Sequence, residues 1–171
     1  ARATELAGCR AFATLDEMIA EGVDAATIAA PTHLHHEIAL ACIARNIHIL
    51  VEKPIAPSVE EGREIVAAAQ RAGVTLMVGH VERFNPAVAA IKQALAGEDI
   101  LSIAITRVGP FPPRMSNVGV VIDLAVHDID LIRWFTESDI VEVQPQLSSA
   151  IAEREDIALL QFRTASGVLA H

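Results

Sequence analysis

One segment of the sequence places ionisable side chains at helical spacing within an apolar stretch. Asp123, His127, Asp130 and Trp134 are four, three and four residues apart, so an α-helix would align them on one face. Burying unpaired polar groups costs on the order of several kcal/mol, so the stripe needs a function or a partner. A carboxylate at Asp123 would orient the His127 imidazole, whose other nitrogen would transfer a proton near neutral pH. The alternative is a structural Asp–His pair at a domain interface.

A second candidate group is Glu52-Lys53-Pro54, which follows a predicted strand over 47–51. Open α/β sheets bind ligands at the carboxyl ends of their strands. Lys53 would hold a substrate hydroxyl there and stabilise its oxyanion, whereas the alternative is an ordinary surface lysine. A cis bond before Pro54 would aim the lysine inward, but the sequence leaves the isomer open.

The histidines His33, His35 and His36 resemble the H-x-H arrangement of metal-dependent hydrolases. Lys53 argues against this reading, since a cation is a poor neighbour for a metal. The preferred interpretation has one histidine facing a ligand crevice and the others solvated, with no metal site.

Further polar groups follow Gly79. Arg83 would clamp a phosphate or carboxylate in bidentate fashion, and Asn85 would either cap a helix or contact substrate. Arg107 and Arg114 flank a proline-rich loop, where they offer further anion contacts or are solvated.

The pattern of predicted helices and strands changes near Gly79. Before it, short aliphatic runs alternate with helical segments, which is typical of βαβ units and a parallel sheet. The predicted strands are 23–29, 47–51 and 74–78, and the predicted helices are 32–46 and 58–73, the latter opened by a capping box of Ser58 and Glu61. After it come predicted helices over 86–96 and 119–135 and predicted strands over 100–108, 140–149, 158–163 and from 168, in a largely antiparallel sheet.

Composition limits the class of protein. The chain has 171 residues, a net charge of −9 and 52% hydrophobic residues, which favour a packed core and disfavour nucleic-acid or anionic membrane partners. No apolar run approaches the roughly 20 residues that cross a bilayer. Cys9 and Cys42 are isolated, so a reducing, cytoplasmic location is expected.

Three motifs together resemble one family. Ala30-Pro31-Thr32-x-x-His35, Glu52-Lys53-Pro54 and Asp123-x-x-x-His127-Asp128-x-Asp130 are similar, in order and spacing, to the glucose-fructose oxidoreductase, inositol dehydrogenase and rhizopine catabolism (Gfo/Idh/MocA) family. The resemblance implies an NAD(P)-binding Rossmann domain over 1–79 and a C-terminal substrate and oligomerisation domain over 80–171. Both are expected to be partial, because family members are longer and G-x-G-x-x-G is absent from this sequence.

The resemblance also implies roles for individual residues. Lys53 and His127 would be the catalytic pair, and Asp123 would orient the histidine or bind substrate. The residues near the NAD or NADP cofactor would be Pro31, Thr32, His35, Glu52 and Lys53. His127 would take the hydroxyl proton of a sugar, polyol or nucleotide sugar while the adjacent carbon passes hydride to the cofactor. Arg83, Asn85 and Arg114 remain candidate substrate contacts.

Three expectations complete the sequence-based hypothesis. The intact protein would form a homo-oligomer through its C-terminal sheet, and the 171-residue chain alone would be inactive. A non-catalytic dinucleotide sensor on the same fold is the alternative function. A metal-dependent hydrolase using His33, His35 and His36 is the third.

Overall fold

A computed structural model of the chain describes residues 8–110 and 118–171. The chain divides into two compact units, Ala1–Gly79 and His80–His171. Within the described ranges, every helix is too short or too polar to cross a bilayer.

The first unit is built on a parallel sheet. Its strands are β1 (Ala25–Ile28), β2 (His48–Val51) and β3 (Leu76–Val78), in the order β1-β2-β3. Its helices are α1 (Leu15–Ala20), α2 (His35–Ile43), preceded by a 3₁₀ turn at Thr32–Leu34, and α3 (Val59–Ala72). The core lies between sheet and helices, where Val51, Cys42 and Ile65 are fully buried.

Local sequence signals fixed the ends of α3. The Ser58 hydroxyl accepts a hydrogen bond from the Glu61 N–H at 3.2 Å, and Gly73 ends the helix at φ 69°. A side chain disfavours that left-handed conformation, so glycine suits the position. The predicted helix over 58–73 is confirmed.

The second unit joins two α-helices and a π-helical turn to a mixed sheet. Its elements are a 3₁₀ turn (Val81–Phe84), α4 (Pro86–Ala94), β4 (Ser102–Ile103), a π-helical turn (Val121–Ala125), α5 (Val126–Thr136), β5 (Ile140–Ser148), β6 (Ile157–Thr164) and β7 (Leu169–Ala170). The strand order is β4-β7-β6-β5, with β4 parallel to β7 and the other pairs antiparallel. Ile132 of α5 packs on Phe162 and Ala170 of the sheet.

Two predicted elements differ from the structure, one in its regularity and one in its extent. The helix over 119–135 is not a continuous α-helix, because the Val126 N–H donates to the Val121 carbonyl five residues back. A neighbouring loop holds the start of this segment, since the Val120 N–H donates to the Glu155 carbonyl at 2.8 Å. The strand over 100–108 is reduced to Ser102–Ile103, which is the part that pairs with β7.

Candidate active site

The carboxyl ends of the three parallel strands form one edge of the first unit. The Glu52 N–H donates to the Ile28 carbonyl at 2.9 Å, and the Gly79 N–H donates to the Val51 carbonyl at 2.8 Å. A Cβ on Gly79 would lie 3.1 Å from Glu52 Oε2, so glycine lets these two strand ends approach closely. The half-buried residues Glu52 and Lys53 are therefore carried on a fixed segment of backbone.

His35 connects two of these strand ends from inside the unit. Its side chain is 1% exposed, and its Nδ1 and Nε2 lie 2.9 Å from the carbonyl oxygens of Pro54 and Ala30 respectively. The Lys53–Pro54 peptide bond is cis. His35 thus braces the backbone on both sides of the edge, and its ring nitrogens are directed to carbonyls.

The histidine cluster does not converge. His33 is exposed, His35 is enclosed by backbone, and His36 Nε2 lies 2.7 Å from Glu64 Oε2. Among the described residues, no three His, Cys, Asp or Glu side chains are arranged to hold a metal ion.

Small residues border the same edge after β1. Ala29 and Pro31 are exposed, and Thr32 begins the 3₁₀ turn that leads into α2. Small side chains leave the backbone accessible to a flat ring. The residues that the sequence assigned to the cofactor, Pro31, Thr32, Glu52 and Lys53, all belong to this edge, and His35 reaches it through Ala30 and Pro54.

In the second unit, Asp130 is a buried carboxylate on the same helix as His127. It is 5% exposed and accepts two hydrogen bonds from Arg83, from Nε at 2.7 Å and from a terminal nitrogen at 2.5 Å. The guanidinium that the sequence assigned to an anionic substrate is therefore bound by a protein carboxylate. Asn85 acts as a helix cap, since its Oδ1 accepts from the Ala87 N–H at 3.0 Å.

A second ionic group in this unit contains Asp128, which precedes Ile129 in the sequence. Arg107 donates to Asp128 at 2.8 Å and to Glu82 at 3.3 Å. Arg107, Asp128 and Asp123 line a cavity of about 780 Å³ in the second unit. Arg114, the remaining predicted substrate contact, lies outside the described residues.

Sequence reasoning missed His80. Its Nε2 lies 3.7 Å from Asp130 Oδ1. Burial lowers the pKa of His80, and Arg83, His127 and Arg133 lower it further, whereas Asp130 opposes the shift. The available signal was its position directly after β3 and Gly79, comparable to Lys53 after β2.

Comparison with known families agrees with the fold. Residues 1–80 match the family model described as an oxidoreductase family with an NAD-binding Rossmann fold, and residues 99–171 match the GFO/IDH/MocA C-terminal domain. The two matches cover most of the chain and fall in separate units. The chain belongs to the Gfo/Idh/MocA family, and the predicted fold class is confirmed.

Individual relatives are dehydrogenases of sugars and polyols. The chain is 33% identical over 173 aligned positions to UDP-N-acetylglucosamine 3-dehydrogenase of Acidithiobacillus ferrooxidans, covering 99% of this chain and 55% of the relative. A solved structure of that enzyme superposes with a TM-score of 0.90, covering 98% of this chain and 55% of that one. Inositol 2-dehydrogenase of Arthrobacter sp. is 35% identical, covering 95% and 51%.

A third relative was solved with ligands. The WlbA dehydrogenase of Bordetella pertussis, in complex with NADH and UDP-GlcNAcA, is 26% identical with a TM-score of 0.80, covering 99% of this chain and 58% of that one. The chain spans about half the length of the relatives it matches.

Proposed function

We propose that the protein carrying this chain is an NAD(P)-dependent oxidoreductase that acts on a secondary hydroxyl of a sugar, polyol or nucleotide sugar. The observation that carries the proposal is the joint presence of Lys53 after β2 and His127 on α5, in units that match the two domains of one dehydrogenase family. The named relatives act on UDP-N-acetylglucosamine and inositol, which supports this substrate class.

The strand-end edge of the first unit fits a nicotinamide cofactor. Its exposed small residues offer a surface for a flat ring, and the close contact of Gly79 with Glu52 keeps the neighbouring strand ends in place. We assign Pro31, Thr32, Glu52 and Lys53 to this surface and His35 to its support. The reaction requires a hydride acceptor, which is the chemistry that a bound nicotinamide dinucleotide supplies.

The chain's own residues supply proton transfer and charge stabilisation. We assign His127 as the general base that removes the hydroxyl proton at an imidazole nitrogen, which must be neutral beforehand. The Lys53 ammonium donates a hydrogen bond to the same oxygen and stabilises its developing negative charge. Asp123 binds substrate or orients His127, and Asn85 and Arg114 remain candidate substrate contacts.

Steady-state kinetics of the full-length protein tests the proposal. Reduction of NAD and of NADP would be followed with UDP-N-acetylglucosamine and with myo-inositol as substrates. His127→Ala should lower turnover on the order of 10² to 10⁴-fold with little change in cofactor affinity. Arg45→Ala, which removes a surface ion pair with Asp16, serves as the control. Turnover near the wild-type value in His127→Ala would refute the assignment.

We further propose a cytoplasmic homo-oligomer that uses the sheet of the second unit. The alternating residues Ile157 and Leu159 of β6 are 50% and 65% exposed, and Leu169 of β7 is 50% exposed. Exposed apolar side chains on one sheet face favour burial against another protein surface. Light scattering of full-length wild type and Leu159→Glu tests the proposal, which predicts a smaller particle for the variant.

A further inference from the structure

The strongest unassigned feature is a group of side chains around Asp130, which we call the Asp130 cluster: His80, Arg83, Asp130 and Trp134. Asp130 follows His127 by three residues on α5, so the two side chains share a helix face. A carboxylate that is 5% exposed needs a bonded cation, and Arg83 meets this need with two hydrogen bonds. Arg83 comes from the 3₁₀ turn after β3, so the pair fastens that turn to the helix of His127.

The aromatic ring of Trp134 holds the other side of Arg83. The guanidinium carbon lies 5.7 Å from the ring centroid, within the range of a cation–π contact. Lys92 lies 5.9 Å from the same centroid and donates to the Trp134 carbonyl at 2.8 Å. Arg83 thus contacts a carboxylate and a ring that both belong to α5.

His80 places a second imidazole in this group. Its Nε2 lies 3.7 Å from Asp130 Oδ1, and among the described residues its buried Nδ1 has no hydrogen-bond partner. Four charged or titratable side chains act on it: Arg83, His127 and Arg133 lower the pKa of His80 together with burial, and Asp130 raises it. A neutral His80 adds no positive charge beside His127, which favours a neutral base.

We propose, on the basis of the proposed dehydrogenase function, that Asp130 is a positioning residue for His127. Its carboxylate fixes the turn of α5 that carries His127 and balances the charge of Arg83 next to the two imidazoles. Asp130 acts through the helix and through electrostatics, without touching the substrate. Asp130 and Arg83 have opposite charges, so their removal should change the His127 titration in opposite directions.

The pH dependence of kcat/KM in the full-length protein tests this proposal. Asp130→Asn removes the negative charge and keeps an acceptor oxygen for Arg83. The acidic limb of the profile should move to lower pH, and kcat should fall roughly 10-fold to 100-fold because the base is displaced. Arg83→Gln should move the limb to higher pH. The KM for the sugar should change little in either variant.

The control is Asp16→Asn on α1, which removes an exposed ion pair with Arg45 by the same acid-to-amide change. Its pH profile should match the wild type. If Asp130 had only a structural role, Asp130→Asn would reduce stability, and the acidic limb would not move in opposite directions in Asp130→Asn and Arg83→Gln. Limbs that stay in place, or that move in the same direction, would overturn the proposal. So would an increased KM for the sugar with an unchanged profile in Arg83→Gln, which would mark Arg83 as a direct substrate contact.

A second measurement separates this inference from the proposed function. The titration of His80 can be followed by NMR of the full-length protein labelled with ¹⁵N-histidine, with no substrate present. Its pKa should fall in Asp130→Asn and rise in Arg83→Gln. If wild type oxidises none of the tested substrates, the proposed function fails, and this titration still supports or refutes the Asp130 cluster. Arg83→Gln keeps the test decisive if Asp130→Asn does not fold.

Discussion

The two units hold their candidate catalytic residues by different means. In the first unit, the segment carrying Lys53 is held through its backbone, by the His35 ring on two carbonyls and by the close approach of Gly79 to Glu52. In the second unit, the helix carrying His127 is surrounded by ion pairs, Arg83 with Asp130 and Arg107 with Asp128. The first arrangement depends on contacts to the backbone, and the second depends on ion pairs between side chains.

This difference determines which substitutions each unit tolerates. The first support depends on the fit of His35 and Gly79 against the backbone, so it fails when a side chain of the wrong size is introduced. Ion pairs fail when a charge is removed, since the remaining charge is then left partly buried. Substitutions that separate size from charge therefore test the comparison directly.

The largest expected effect is on catalysis at Lys53. Lys53→Met should lower the turnover of the full-length protein on the order of 10² to 10³-fold, because an oxyanion loses its donor. The fold should stay intact, because His35 and Gly79 still hold the backbone of this segment. Lys53→Arg should not restore turnover, since a planar fork replaces a compact ammonium. Kinetics and calorimetry on these variants check both statements, and an active arginine variant would show that charge alone suffices.

Loss of the His35 brace should have the next largest effect. His35→Ala leaves two carbonyls without their partner and creates a cavity, so the free energy of unfolding should fall by about 2 to 4 kcal/mol. His33→Ala, two residues earlier and exposed, is the matched control for stability and should change it by less than about 0.5 kcal/mol. Urea denaturation measures both. Equal effects in the two variants would contradict the bracing role.

A smaller effect is expected at the Arg107–Asp128 pair. The side chains are 33% and 16% exposed, so solvent screens part of their attraction. Asp128→Asn should cost about 1 kcal/mol of stability, and the difference from wild type should shrink at high salt. Denaturation at low and high ionic strength measures it. A loss of stability that does not depend on salt would mean that Asp128 acts through packing rather than through its charge.

The smallest effect is a pH dependence from His80. Its folded-state pKa is lowered, mainly by burial, so the unfolded chain binds the proton more readily. The stabilisation is complete above the unfolded pKa of about 6.5 and is lost as pH falls through the lower folded value. Comparing wild type with His80→Gln by denaturation at pH values on both sides of this window should show a shallower loss in the variant. Parallel curves would contradict burial as the cause.

Sequence reasoning succeeded where a signal and its structural result are adjacent in the chain. Ser58 with Glu61, and Asn85 with Ala87, form caps within three residues, so propensity and spacing were enough. The family motifs located Lys53 and His127 on the elements that carry them. These signals depend little on tertiary structure.

The remaining features depend on contacts between distant segments. Arg83 and Asp130 are 47 residues apart, and no spacing rule connects a residue after one strand with a residue on a later helix. The interruption of the helix over 119–135 coincides with a hydrogen bond from Val120 to Glu155, which lies on the approach to β6. A uniform helical period does not anticipate this turn, so it did not predict the hydrogen bond from Val126 back to Val121.

The number of residues in the π-helical turn at Val121–Ala125 determines which side chain lies near His127 along the helix. One residue corresponds to about 100° of rotation around an α-helix. Deleting Ala125 would permit a regular helix, and Ile122 would then occupy the position four residues before His127 that Asp123 now holds in sequence. A single-codon deletion would thus replace a carboxylate by a hydrocarbon at that position without altering either residue. Variation among homologues at this turn should therefore be restricted in length more strongly than in composition.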